Sequence, residues 1–124
     1  RSSMAPTIVF DVGFDGTRRP AMVLGSPGGS RIPEYVAQAV IGLVDWKLPP
    51  NEAAALPHVS QRNRNQTVVE KQGLGDGIAA GLSAMGHTVT RADMTSGLHI
   101  IVLDPERGLL GGADPRREGM AQGF

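Results

Sequence analysis

Ala21-Met22-Val23-Leu24-Gly25-Ser26-Pro27-Gly28-Gly29-Ser30-Arg31-Ile32-Pro33-Glu34-Tyr35-Val36 holds a strand, a glycine-rich turn and the opening of a helix in one short stretch. Ala21 to Leu24 is a β-prone run. Gly25 to Arg31 breaks it, and Ile32, Val36, Val40, Leu43 and Val44 then recur on one face at helical spacing. Pro33 falls in the first helical turn, where its missing N–H costs nothing. Glu34 complements the positive helix N-terminus, and Pro49-Pro50 forbids continuation past Trp46 to Leu48. The helix is bounded at both ends.

On the N-terminal side, Thr7 to Phe10 is a second short β-prone run. Asp15-Gly16 between the two runs predicts a hairpin with a type I′ turn, which needs positive φ at both central residues. On the C-terminal side, Asn51 to Leu56 predicts a short helix stopped by Pro57, and the polar stretch from His58 to Gln66 a loop. Thr67 to Glu70 predicts a strand. Leu74, Ile78, Leu82 and Met85 share a helical face, with Asp76 near its start and Gly86 suited to its left-handed end. Gly77 and Gly81 each weaken that helix by about 1 kcal/mol relative to Ala. His87 to Thr90 and Leu98 to Leu103 read as strands. Asp104 to Gly108 is the turn that returns the chain through Leu109 and Leu110, and Gly111 to Phe124 is expected to lack regular structure. Strand pairs around helices define an α+β layer arrangement without internal repeats.

Composition narrows the function. The chain has 124 residues with 12 Lys+Arg against 12 Asp+Glu, enough for one domain or a piece of one. Zero net charge removes the electrostatic reason to expect nucleic acid, since phosphate-backbone binding requires clustered cations. No apolar run approaches the ~20 residues of a membrane-spanning helix. Without cysteine there is no disulfide scaffold, thiol nucleophile or thiolate metal site. The 17 glycines and 9 prolines make roughly a fifth of the chain, against about an eighth on average, so backbone geometry is heavily specified. The chain begins at Arg1, and a strand follows within a few residues, so the start reads as cut from something longer.

Among residues that can carry chemistry, Gly28 and Gly29 stand out. A missing Cβ lets a substrate atom approach the main chain, and successive N–H groups ahead of a helix can converge on a phosphate, a carboxylate or the oxyanion of acyl transfer. The turn lacks the lysine of a Walker loop and the G-x-G-x-x-G spacing of a dinucleotide site. A plain strand-to-helix turn is the competing reading. Ser2 and Ser3 can donate hydrogen bonds or, beside a base, act as nucleophiles, but no G-x-S-x-G elbow surrounds them. His58, His87 and His99 have no metal-ligand spacing, and no metal site is expected. Asp114-Pro115-Arg116-Arg117 can clamp a carboxylate or bridge neighbouring segments.

Three of these stretches, in this order, carry a resemblance. Ser2-Ser3-Met4-Ala5-Pro6-Thr7-Ile8-Val9, then Gly25 to Arg31, then Ala113-Asp114-Pro115-Arg116 with the ending Ala121-Gln122-Gly123-Phe124, resemble the C-terminal part of the small subunit of γ-glutamyltranspeptidases. The likeness covers residues 1–124, least distinctively from Asn51 to Gly75. It implies part of the α-β-β-α sandwich of an N-terminal-nucleophile hydrolase, matured by self-cleavage that exposes a threonine upstream of Arg1. It also implies that Ser2 and Ser3 bind the α-carboxylate of a γ-glutamyl group, and that the Gly28 and Gly29 amides form the oxyanion hole. No cofactor or metal follows from it.

The expected substrates are glutathione or other γ-glutamyl donors, with water, amino acids or peptides as acceptors. The expected partners are the remainder of the small subunit and the large subunit, in a periplasmic or secreted protein. The residues that hold the substrate amine in the family, and its large-subunit arginine, have no counterpart here, so half the site is missing, and the chain alone is expected to be inactive for lack of its nucleophile. An excised piece is also expected to expose apolar faces and so to self-associate or be marginally stable in isolation. Two departures are visible: His58 stands where the family has an arginine after proline, and Phe124 replaces a usual tyrosine. Related members of the same fold act as glutaryl or cephalosporin acylases, which leaves the acyl donor open. A non-catalytic anion- or partner-binding module is the reading from another class.

Overall fold

The alternation of apolar residues from Thr7 to Val12 and from Arg18 to Gly25 generates a hairpin, β1 (Thr7–Val12) and β2 (Arg18–Gly25), in a computed structural model that describes residues 2–123. Arg1 and the final Phe124 lie outside the described residues. The hairpin is as expected, but its turn is not type I′. Gly16 has φ 79°, whereas Asp15 has no positive φ. Instead the Asp15 carboxylate accepts the Thr17 N–H at 3.0 Å and its hydroxyl at 2.6 Å. The side chain replaces the second left-handed residue, and these bonds hold the Asp15 carboxyl below its ordinary pKa.

The chain divides into two compact units, residues 1–55 with 95–124, and residues 56–94. In the first, β1 and β2 join β6 (His99–Asp104) and β7 (Gly108–Ala113) in an antiparallel sheet of order β1-β2-β6-β7. β7 extends to Ala113, further than expected, because Gly111 and Gly112 pair with Ile101 and Ile100. A Cβ on Gly112 would run into the Pro50 backbone, so a glycine there lets a helix lie directly on the strand.

One face of this sheet is covered by α1 (Ile32–Val44) and α2 (Pro50–Ala55). Ile32, Val36, Ala39 and Leu43 of α1 and Ala53 and Ala54 of α2 bury against Leu24, Leu98 and Ile100. The α1 stripe is rotated from expectation. Tyr35 and Ala39 lie in it, while Val44 is exposed, because alanine on the packed face allows the helix to approach closely. The opposite face carries a row of paired apolar residues, Ile8, Val23 and Ile101, which are 57%, 40% and 46% exposed.

The second unit contains β3 (Val59–Gln61), β4 (Gln66–Glu70), α3 (Asp76–Ala84) and β5 (Thr88–Ala92). β3 pairs antiparallel with β4, which pairs parallel with β5 across the α3 crossover. The polar stretch expected as a loop therefore contains a strand. Its pattern hid this because Ser60 and Thr67 are polar yet buried. Gly86, with φ 94°, follows α3 as expected, but no residue of that helix is buried.

Candidate active site

The β2-to-α1 turn is held by contacts that leave little freedom. Gly28 has φ 139° and Gly29 φ 66°, conformations that side-chain-bearing residues rarely adopt. A Cβ on Gly28 would also lie 2.5 Å from Cε2 of the buried Tyr35, so the turn rests on the first turn of α1. One turn of 3₁₀ helix, Gly29–Arg31, leads into α1.

Three successive carbonyls of the turn, those of Pro27, Gly28 and Gly29, are anchored. Pro27 O accepts the Ser26 hydroxyl at 2.7 Å. Gly28 O accepts the Arg31 N–H at 3.4 Å, and Gly29 O accepts the Ser3 N–H at 3.0 Å. Because a peptide unit is planar and none here is cis, fixing these carbonyls also fixes the N–H groups that oppose them, those of Gly28, Gly29 and Ser30. Among the described residues, neither the Gly28 nor the Gly29 amide donates to another group of the chain. They are oriented donors beside a helix N-terminus.

The Ser3-to-Gly29 bond also brings the serine pair to the glycine turn. Ser2 is exposed and Ser3 half-buried. All four residues singled out in the sequence, Ser2, Ser3, Gly28 and Gly29, thus lie in one locality. A recess of about 380 Å³ adjoins it, lined by Gly25, Ser26, Pro27, Gly97, His99 and Ile101. A larger recess of about 720 Å³ lies on β6 and β7 beside Met120 to Gly123, and none of the four lines either recess.

Behind the turn lies a network that the sequence pointed to only through its Asp-Pro-Arg-Arg run. Asp114 is 1% exposed. Its carboxylate accepts the Ser96 hydroxyl at 2.5 Å, the Leu98 N–H at 3.1 Å, the Arg116 N–H at 2.9 Å and Arg116 Nη1 at 3.0 Å. Burial pushes its pKa up, but the Ser96 hydroxyl and the Arg116 and Leu98 donors outweigh this and hold it below the ordinary carboxylate value. Arg116 also donates to Ala54 O, and Arg117 to Thr95 O and Ser96 O. The two arginines bridge segments, the second of the two uses expected.

The histidines are placed structurally. His58 is buried with its backbone N–H on the Glu70 carboxylate at 2.9 Å, His87 Nδ1 is 3.0 Å from Thr67 Oγ1, and His99 Nδ1 is 3.2 Å from Gly97 O. Among the described residues no group of three or more His, Asp or Glu side chains is arranged to hold a metal ion. No helix among them is long and apolar enough to cross a membrane. The buried Nε–H of Arg31, next to the turn, finds no acceptor among the described residues.

The α+β architecture is that of solved γ-glutamyltranspeptidases, which are N-terminal-nucleophile hydrolases. The sequence model of gamma-glutamyltranspeptidase matches residues 1–124, and the chain belongs to that family. It is 32% identical over 115 residues to the glutathione hydrolase proenzyme of Escherichia coli K12, covering 93% of this chain and 19% of that protein. It is also 32% identical over 120 residues to the acylase ACY 1 proenzyme of Pseudomonas sp. strain SE83, covering 95% of this chain and 20% of that protein. In structure it is similar to gamma-glutamyltranspeptidase from Pseudomonas nitroreducens complexed with L-DON, with a TM-score of 0.85 at 28% identity over 100% of this chain and 63% of that one. The chain therefore spans about a fifth of the length of these curated relatives.

Proposed function

We propose that this chain is the C-terminal part of the small subunit of a γ-glutamyltransferase/glutathione hydrolase, and that Gly28 and Gly29 supply its oxyanion hole while Ser2 and Ser3 bind the donor's α-carboxylate. The observation that carries this is the 3.0 Å hydrogen bond from Ser3 N–H to Gly29 O, which joins a carboxylate-reading pair to a pair of oriented amides. A threonine upstream of this chain attacks the γ-glutamyl carbonyl, and its own α-amine takes the hydroxyl proton. The carbonyl oxygen becomes an oxyanion facing the two amides. Collapse breaks the C–N bond, the protonated amine returns its proton to the leaving nitrogen, and an ester acyl-enzyme remains. Water or the amine of an acceptor amino acid or peptide then attacks that ester, releasing glutamate or the transfer product.

Without the nucleophile the chain alone is inactive. It works with the remainder of the small subunit and a large subunit, in the periplasm or secreted. The open sheet face with Ile8, Val23 and Ile101, and the unmet Arg31 Nε–H, support a covering by further chain. The isolated chain is accordingly expected to self-associate. A sedimentation run at low concentration that finds a stable compact monomer overturns this.

The deciding experiment is the initial rate of the self-processed parent protein on a γ-glutamyl anilide beside its glutaryl analogue, which lacks the α-amine. A strong γ-glutamyl preference is expected. Preference for glutaryl keeps the oxyanion assignment but moves the protein to the acylase branch, a second reading favoured by its equal identity to ACY 1. Absence of a threonine at an upstream self-cleavage junction would instead favour a non-catalytic binding module.

A further inference from the structure

The Ser26 side chain lies outside the Ser2, Ser3, Gly28 and Gly29 set, yet it touches the peptide that carries one of the oriented amides. Its hydroxyl donates to Pro27 O at 2.7 Å and accepts the Gly97 N–H at 3.1 Å. Pro27 O and Gly28 N–H belong to one trans peptide unit, so a rotation of that carbonyl swings the Gly28 amide by the same angle. Proline fixes φ at residue 27 but leaves its ψ free, and ψ is the torsion that would turn this peptide plane. The Ser26 hydroxyl is the bond that holds it.

The other end of the brace is rigid. Gly97 is buried, and a Cβ there would lie 2.8 Å from Pro27 Cγ and 2.7 Å from Arg117 Cδ. Its neighbours are fixed by the buried Asp114, through the Ser96 hydroxyl and the Leu98 N–H. Arg117 holds the carbonyls of Thr95 and Ser96. The Asp-Pro-Arg-Arg run thereby reaches the glycine turn through Gly97 and Ser26, although the two are far apart in sequence.

We propose that Ser26 is a positioning residue for acyl transfer, its hydroxyl locking the Pro27–Gly28 peptide against Gly97 so that the Gly28 amide points at the developing oxyanion. This rests on the oxyanion assignment made above. An oxyanion donor is used in the transition state rather than in substrate binding, so its misalignment lowers kcat and leaves KM nearly unchanged.

The test uses the self-processed parent protein and compares Ser26→Thr with Ser26→Val, a pair of equal shape that differs in the hydroxyl, with Ser26→Ala as a second hydroxyl-free variant. Rates are taken per mature molecule on the anilide the parent turns over. Ser26→Val and Ser26→Ala are expected to lower kcat about tenfold or more, less than outright removal of an oxyanion donor, with KM within about twofold. Ser26→Thr is expected to restore most of the rate. Hydroxyl-free variants with parental kcat, a loss confined to KM, or a Ser26→Thr rate as low as that of Ser26→Val each overturn the proposal. So does failure of both hydroxyl-free variants to mature while Ser26→Thr matures, which would assign the hydroxyl to folding. A parent inactive on both anilides overturns the acyl-transfer reading and this proposal with it, whereas an active parent insensitive at residue 26 overturns the proposal alone.

Discussion

The two compact units are built on different interiors. In residues 1–55 with 95–124, an apolar cluster around Leu24, Val36, Leu98 and Ile100 packs two helices on one sheet face, and the buried Asp114 inside it is fully supplied with donors. In residues 56–94 the buried apolar residues among those described are Val69 and Met94, alongside the polar His58, Ser60, Thr67 and Glu70. The first unit is held by volume and by one saturated carboxylate, so small changes there are felt at once. The second is held by matching donors to acceptors, and no residue of its helix α3 is fully buried. The turn proposed to aim two amides at an oxyanion lies on the first kind of interior, which can hold it in place.

The sharpest way to break this contrast is Asp114→Ala. It removes the carboxylate shared by the Leu98 N–H, the Ser96 hydroxyl and the Arg116 guanidinium and leaves a buried void, and the parent protein should lose about 3–5 kcal/mol in a denaturation experiment. A loss under about 1 kcal/mol would mean that apolar packing alone sets the strap from Thr95 to Leu98. Gly28→Ala comes next and acts on the rate. It adds a Cβ 2.5 Å from Tyr35 Cε2 at a φ of 139°, and kcat of the parent should fall by about 100-fold, as for loss of one oxyanion donor. An alanine variant with parental kcat would remove Gly28 from the chemistry.

Acid sharpens the contrast further. The Asp114 pKa is lowered in the folded state, so the unfolded state binds the proton more readily. The stability this supplies is complete above the ordinary carboxylate pKa of about 4 and is lost as pH falls through the lower folded value. Unfolding followed from pH 6 downward should show this loss in the parent and a flatter acid limb in Asp114→Asn. An unchanged acid limb would take Asp114 out of the titration.

The contrast also explains what the sequence made legible. The β2-turn-α1 unit was readable because glycine, proline and an apolar period all point the same way, and the motifs at Ser2-Ser3 and Gly28-Gly29 are contiguous. β3 was hidden because its inward residue, Ser60, is polar, so the alternation carried no apolar signal. The α3 face through Ile78 and Met85 had the period of a buried stripe, yet both residues are exposed, since periodicity states what can be buried and not whether anything covers it. Ser26 and Gly97 could not be joined from sequence. The bond between them spans 71 positions, and neither residue type is unusual in a turn.

The smallest expected effect tests the second unit on its own terms. Arg91 Nη2 lies 2.6 Å from Asp76 Oδ1, a short ion pair, but the Asp76 side chain is fully exposed and that of Arg91 is 32% exposed. Water and salt screen such a pair, so Asp76→Ala should change stability by about 0.5 kcal/mol or less. Arg91→Ala should cost more, because Arg91 Nη1 also donates to Lys71 O at 3.4 Å and Leu74 O at 3.2 Å, holding the chain ahead of α3. Amide hydrogen exchange confined to residues 56–94 separates the two, with faster exchange near Leu74 expected in Arg91→Ala and little change in Asp76→Ala. Equal acceleration in both variants would show that charge, rather than donor-to-acceptor matching, secures this unit.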